Sequence, residues 1–376
     1  MPEPNQLSGR LTSLDAFRGA TIAGMILVNN PGSWSHVYAP LLHADWHGWT
    51  PTDLIFPFFL FIVGVAMPIS FARRLARGDS KRRLARHVVR RGLILFGLGL
   101  FMALFPTFSD WGTLRIPGVL QRIGVVYLIA ATLYLTLGTR GRWSALAVLL
   151  LGYWALMTLV PVPGFGAGDL SPDGNLGAYL DRLILGQQHL WRGNMWDPEG
   201  LLSTLPAVGT TLLGIFTGEW LLSDREGSAK AKGLLAGSLV AILLGLLWDL
   251  LFPINKKIWT SSYVVFSAGM GGLVLGAFYW MIELRSWKRW SLPFVIYGMN
   301  AIAVFVASGL LTKTLVRVRV SGAGGESTSL YSWIYTNLFA SWAGPLHGSF
   351  AFALSYVGFW LLLMWLLYRR GIFIKI

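Results

Sequence analysis

The chain has 376 residues, 54% of them hydrophobic and only 13% charged, with a formal net charge of +14. Apolar runs of membrane-span length recur from end to end, which excludes a soluble globular fold and points to an all-α, polytopic helical membrane protein. There is no cysteine, so disulfides, thiolate catalysis and cysteine-bound metals are excluded.

In chain order, helical spans are predicted at 11–30, 53–72, 89–107, 116–137, 143–162, 201–222, 232–252, 260–282, 290–312 and 349–368, about ten in all. The first contains Asp15 and Arg18 and has no small-residue cleavage site, which argues for a retained span and against a signal peptide. Asp15 and Arg18 lie three apart and can pair on one helix face. Ionisable groups within a span face the protein interior, where they either mark a site or tie helices together. Asn29 and Asn30 end this span, as caps and turn formers or as ligand contacts.

The next segment, HADWHGWTPTD, joins two spans. Thr50-Pro51-Thr52-Asp53 reads as an N-cap, a proline at the first helical position and an acid at the third, so Asp53 has a purely structural explanation. His43 has a weaker one, membership of an interfacial aromatic belt with Trp46, His47 and Trp49. If the turn through Gly48 folds His43 back onto Asp53, the carboxylate fixes the ring tautomer and makes the other nitrogen a general base. His36, His43 and His47 offer only one i,i+4 pair, a poor metal set, and no metal is expected.

The basic segment 73–91 follows. Topogenic charge and attraction to anionic lipid explain it, with a cytoplasmic phosphate as the functional alternative, and no nucleic-acid partner is implied. Arg122, in RIPGVLQRI, lies inside the fourth span. The segment 163–200 is rich in Gly, Pro and Asp and is predicted to form a lid with short helical pieces. It leads into WDPEGLLSTLPA, where Asp197 and Glu199 stand at the start of the sixth span, either as helix-end acids or as ligand contacts. In PINKKIWTSSYV, Lys256 and Lys257 beside Asn255, Trp259 and Ser261 suggest ligand contacts, with Trp259 offering a face for a sugar ring. Asn300 sits within the ninth span and needs a polar neighbour. The segment 313–348 is predicted as an outer excursion with an interfacial or re-entrant helix over 331–343.

Charge sets the orientation. With the N-terminus inside, 21 of the 31 Lys and Arg residues fall on the inner side, including Arg10, nine in 73–91 and Lys375; eight fall outside, and Arg18 and Arg122 lie within spans. Both termini are therefore expected in the cytoplasm, and 31–52, 163–200 and 313–348 on the outer face.

Taken together and in order, SLDAFRG, LVNN, HADWHGWTPTDLIFPFFLFIVG, RIPGVLQRI, WDPEGLLST and NKKIWTSSYV resemble the transmembrane acetyltransferase family of heparan-alpha-glucosaminide N-acetyltransferase, and within it bacterial inner-membrane homologues. The resemblance runs from about Arg10 to the last span, as one acyltransferase domain. By this resemblance the chain is expected to lack the N-terminal lumenal region and leading span of the family's human member. The resemblance implies acetyl transfer from cytoplasmic acetyl-CoA, as co-substrate, to the amine of a glucosamine-type sugar, and it implies a homodimer. The family's catalytic histidine falls on His43, its partner aspartate on Asp53 and its asparagine on Asn29 or Asn30. Asp15, Arg18, Arg122 and Asn300 are then expected along the path of the CoA arm. Asp197, Glu199, Asn255, Trp259 and Ser261 are expected near the acceptor. The alternatives are a proton-coupled amino-sugar transporter and an acyltransferase of an envelope polysaccharide.

Overall fold

A computed structural model describes residues 11–108, 110–321 and 326–374. Arg10, Lys375 and the glycine-rich 322–325 of the third outer segment lie outside the described residues. Its contacts divide into two compact units, one made of 1–43, 50–55 and 277–376 and the other of 44–49 and 56–276.

The helices are α1 Thr12–Asn29, α2 Ile55–Ala76, α3 Lys81–Leu104, α4 Val119–Thr136, α5 Thr139–Leu159, α6 Leu176–Leu185, α7 Thr204–Leu222, α8 Gly227–Asp249, α9 Ser261–Tyr279, α10 Leu292–Met299, α11 Ala301–Arg317, α12 Leu330–Tyr335 and α13 Ser341–Arg369. Among the described residues eight helical runs are long and apolar enough to cross a membrane, and α10 with α11 makes a ninth if taken as one span. The fold is thus that of an all-α polytopic membrane protein. The first predicted span, 11–30, forms as helix α1 but is not among the eight, because Thr12, Ser13, Asp15, Arg18 and Thr21 dilute its apolar content.

Three details differ from the sequence reading. The ninth span is broken at Asn300, where α10 and α11 meet at 72°. The basic segment 73–91 is mostly helix: Gly78 turns the chain at φ 86°, and Ser80 caps α3 by accepting the Arg83 N–H at 3.2 Å. Arg, Lys, Leu and Ala carry helix well, so the charges sit on two helix ends. The segment 313–348 holds a two-stranded antiparallel hairpin, β1 Arg319–Ser321 with β2 Ser327–Ser329, in register Arg319↔Ser329. After it, α12 and a π-turn over Thr336–Ala340 fill the helical stretch expected there, and Gly344 (φ 75°) kinks the chain ahead of Pro345.

Small residues set the packing within each unit, as they must where lipid supplies no hydrophobic drive between helices. In the first unit a Cβ added to Gly19 would lie 1.7 Å from the Phe294 carbonyl oxygen, and one at Gly298 would lie 2.1 Å from that of Asp15. Hence α1 and α10 touch backbone to backbone. In the second unit Gly64 and Gly214 do the same for α2 and α7, and Thr211 donates to the Leu60 carbonyl at 3.2 Å.

Candidate active site

His43 and Asp53 belong to the first unit, although the chain between them contributes 44–49 to the second. The anchoring of that excursion in the second unit explains its sequence. Gly48 takes φ 90° and donates its N–H to Ile254 O at 2.7 Å, and the Trp46 indole N–H donates to Leu170 O at 2.8 Å. When the chain returns at Thr50, Pro51 starts a 3-10 turn over Pro51–Leu54 that carries Asp53.

The two oxygens of the Asp53 side chain serve different partners. Its Oδ2 accepts the Thr50 N–H at 3.0 Å, the reciprocal half of a capping box, and the Thr50 hydroxyl also donates to Oδ2 at 3.1 Å. Its Oδ1 lies 2.6 Å from His43 Nδ1. An ionised carboxylate only accepts, so the proton sits on Nδ1 and Nε2 keeps its lone pair. The Asp53 side chain is 2% exposed and that of His43 43%. The orienting acid is sealed while the base faces outward. Asp53 serves as helix cap and as histidine partner at once.

Other expected residues of the first unit gather around α1 and α10. Arg18 Nη1 donates to Asp15 Oδ1 at 2.9 Å, as the three-residue spacing required, and reaches Gly298 O at 3.5 Å. The two asparagines part company. Asn30 is buried, its Nδ2 donating to Ile26 O at 2.8 Å and its Oδ1 accepting the Thr312 hydroxyl at 2.6 Å, whereas Asn29 is exposed. Asn300 is 1% exposed and is paired with the chain that follows α13.

In the second unit, Asp197 and Glu199 are not helix-end acids, because α7 begins only at Thr204. Instead Arg115 grips Asp197 through Nε at 2.8 Å and Nη2 at 2.6 Å, and Nη2 also reaches Glu199 at 2.5 Å. Burial works against the Arg115 charge, but the hydrogen bond to Asp197 and the fields of both acids outweigh it and hold the guanidinium above its usual range. Arg122 is 3% exposed; its Nη2 donates to Gly200 O at 2.8 Å and Ser203 Oγ at 2.5 Å, while Nε and Nη1 have no hydrogen-bond partner among the described residues. Its guanidinium lies 5.2 Å from the Trp259 ring centre.

This corrects the expectation for Trp259. The ring is 0% exposed, with Phe56 and Tyr263 edge-on and Arg122 over it, so it presents no face to a sugar. Its backbone is held at φ 53°, a strained value for a bulky residue. Asn255 and Ser261 are likewise fully buried. The Asn255 carboxamide accepts the N–H groups of Lys257 at 2.7 Å and Ile258 at 3.1 Å, and Ser261 donates to Leu150 O. These residues shape the loop from within. Burial lowers His47 below its ordinary range against the field of Asp249, so its Nδ1 can accept from Asn255 Nδ2 at 3.3 Å. Beside them Lys257 Nζ lies 5.7 and 5.5 Å from the ring centres of Trp46 and Trp196. Among the described residues no group of three or more His, Cys, Asp or Glu side chains could hold a metal ion.

Sequence reasoning missed Asp181. This acid of α6 is 2% exposed, accepts the Leu201 N–H at 2.8 Å, and burial, reinforced by Asp197, pushes its carboxyl up to about 7. Since the folded value lies above the unfolded one, folding favours the neutral acid, and stability falls as pH rises from about 4 through 7. Asp181→Asn keeps the acceptor for Leu201 and removes that penalty. Its melting temperature is expected to exceed the wild type's by a margin that widens from about pH 4 to about pH 7 and then levels off. Each pH unit contributes up to about 1.4 kcal/mol. A margin that is constant or shrinks with pH would refute the assignment.

The fold and the paired His43 and Asp53 define a polytopic membrane protein with a carboxylate-oriented histidine. The sequence model described as "Heparan-alpha-glucosaminide N-acetyltransferase, catalytic" matches residues 10–247, and the chain belongs to that family. It is 32% identical over 358 residues to the heparan-alpha-glucosaminide N-acetyltransferase of Homo sapiens, covering 80% of this chain and 53% of that protein. The protein of the same name from Mus musculus is 30% identical over 369 residues, covering 82% and 55%. The chain thus spans about half the length of the curated relatives it matches.

Proposed function

We propose that this chain is a transmembrane N-acetyltransferase that moves acetyl from acetyl-CoA to the amine of a glucosamine-type sugar. The observation that carries the reading is the 2.6 Å contact of His43 Nδ1 with a sealed Asp53, in a chain of this family. It leaves Nε2 free to take a proton. The acceptor nitrogen attacks the thioester carbonyl, the N–C bond forms, and the C–S bond breaks. The proton lost by the amine goes to His43 Nε2 and then to the departing CoA thiolate. Asn29, the exposed member of its pair, is the proposed donor to the oxyanion. No acetyl-histidine intermediate is required.

The charge asymmetry supports a multi-pass arrangement in a bacterial inner membrane with both termini cytoplasmic and His43 on the outer side. The donor then enters from the cytoplasm and its arm crosses the membrane. The residues fit that donor. Arg18 keeps 24% of its side chain accessible for phosphate, and Asn300 offers a carboxamide to the amides of the pantetheine arm. Asp15 orients Arg18. The loops built on Asp197, Glu199, Asn255, Trp259 and Ser261 carry the acceptor-side surface, with Trp46 and Trp196 as its rings.

The test follows the acetyl label. Membranes carrying the chain, given acetyl-CoA labelled in the acetyl group and glucosamine, are expected to yield labelled N-acetylglucosamine and free CoA. A transporter would move the sugar across and leave the label on CoA; that outcome would sink the proposal.

A further inference from the structure

Asn300 stands at the break between α10 and α11, and broken spans open their backbone to ligands. Both ends of its carboxamide are nonetheless engaged. Its Nδ2 donates to Ile372 O at 3.2 Å, and its Oδ1 accepts the Ile374 N–H at 2.8 Å. A carbonyl and an N–H two residues apart face the same edge of extended backbone, so Asn300 reads this segment as one rung of a ladder. The geometry that delivers the segment is built in. Gly371 takes φ 67°, its N–H bonds Tyr368 O at 3.1 Å, and the Ile372 N–H bonds Leu367 O at 2.9 Å. This is a Schellman motif, which turns the chain sharply as it leaves α13.

The segment is held by its backbone and little by burial. Ile372, Phe373 and Ile374 are 43%, 37% and 51% exposed. Among the described residues its ring contact is Phe373 against Tyr368 at 6.4 Å. Two hydrogen bonds with small net value make a hold that a matched ligand can displace. The neighbourhood suits an anionic, amide-bearing ligand. Gly298, two residues before Asn300, accepts from Arg18, and the backbones of α1 and α10 touch there.

We infer that the segment Ile372–Ile374 is a tethered competitor of the acyl donor, occupying at Asn300 the donor–acceptor pair that a secondary amide of the pantetheine arm takes when the donor binds. This rests on the acetyl-CoA reading above. Donor binding releases the segment, so the apparent affinity is the intrinsic one reduced by the fraction of chains with the segment released.

Ile374→Pro removes the one N–H that Asn300 accepts and changes nothing on the Asn300 side. In the full chain it is expected to lower KM for acetyl-CoA, and Kd for CoA measured directly in detergent, by about two- to tenfold, with KM for glucosamine unchanged. Gly371→Val, which strains the left-handed turn, acts in the same direction by another route. Asn300→Ala raises KM for acetyl-CoA, and Ile374→Pro then has no further effect. Donor KM and CoA Kd that stay put or rise in both segment variants, with melting temperatures intact, overturn the inference. If CoA affinity tightens as stated but no acetyl reaches the sugar in the wild type, the competitor stands and the acetyltransfer reading falls. If transfer proceeds with CoA affinity unmoved, the reading stands and the competitor falls.

Discussion

His43→Ala is expected to cut the rate of acetyl transfer by about 10²–10⁴-fold, the usual contribution of a positioned general base, without loss of the folded protein. The amine cannot be acylated without shedding a proton, and His43 presents an outward-facing imidazole oriented by a carboxylate, whereas His47 is held through Nδ1 by the Asn255 carboxamide. Its side chain is 43% exposed, so its removal leaves a surface gap and no core cavity.

Asp53→Asn is the sharper half of the experiment. The wild-type carboxylate gives one acceptor to the Thr50 N–H at 3.0 Å and another to His43 Nδ1 at 2.6 Å. An asparagine has a single acceptor oxygen. If it keeps the cap, its NH₂ faces His43, the imidazole proton moves to Nε2, and the base is lost. If it turns the oxygen toward His43, the Thr50 N–H is left opposite a donor. A loss approaching that of His43→Ala is therefore expected, from a substitution that changes almost no volume. Rates of labelled product formation, normalised to folded protein, decide it. Activity within tenfold of wild type in both variants removes His43 as the base.

That pair was legible because its constraints are local. Thr50 and Pro51 fix where the turn starts, Gly48 permits the reversal, and ten residues separate the partners. The spacing of Asp15 and Arg18 was legible for the same reason. The apolar runs located the spans, since length and composition alone decide who can cross a bilayer. What stayed hidden depends on distant neighbours. Nothing near Trp259 announces that Arg122 and Phe56 will cover it, and an acid in α6 gives no sign that Gly200 and Leu201 will bury it. The break at Asn300 is silent too: it lies in a continuous apolar run, and its partners come from 72 and 74 residues away. Helix signals likewise could not show that the basic segment would become two helix ends.

Arg115→Met carries the largest expected cost in stability. The guanidinium serves two carboxylates whose side chains are 0% and 5% exposed, Asp197 and Glu199, and Asp197 also accepts the N–H groups of Trp191 at 2.7 Å and Glu199 at 2.9 Å. Methionine fills much of the space and leaves both charges buried without their cation, a situation that costs about 3–5 kcal/mol. Lysine should rescue little, because a point charge cannot reproduce the two-pronged grip on Asp197. The decisive comparison adds Asp197→Asn and Glu199→Gln to Arg115→Met. With the charges gone, the triple variant is expected to recover most of the lost stability, measured as melting temperature and folded yield in detergent. A single variant that melts within a degree or two of wild type would show the triad to be no more than a surface ion pair. A triple variant as unstable as the single would place the cost in lost packing. Recovery is the outcome that electrostatics requires, because removing one partner strands a charge, whereas removing all three leaves only neutral groups; it stays incomplete because asparagine at 197 has one acceptor oxygen for the N–H groups of Trp191 and Glu199.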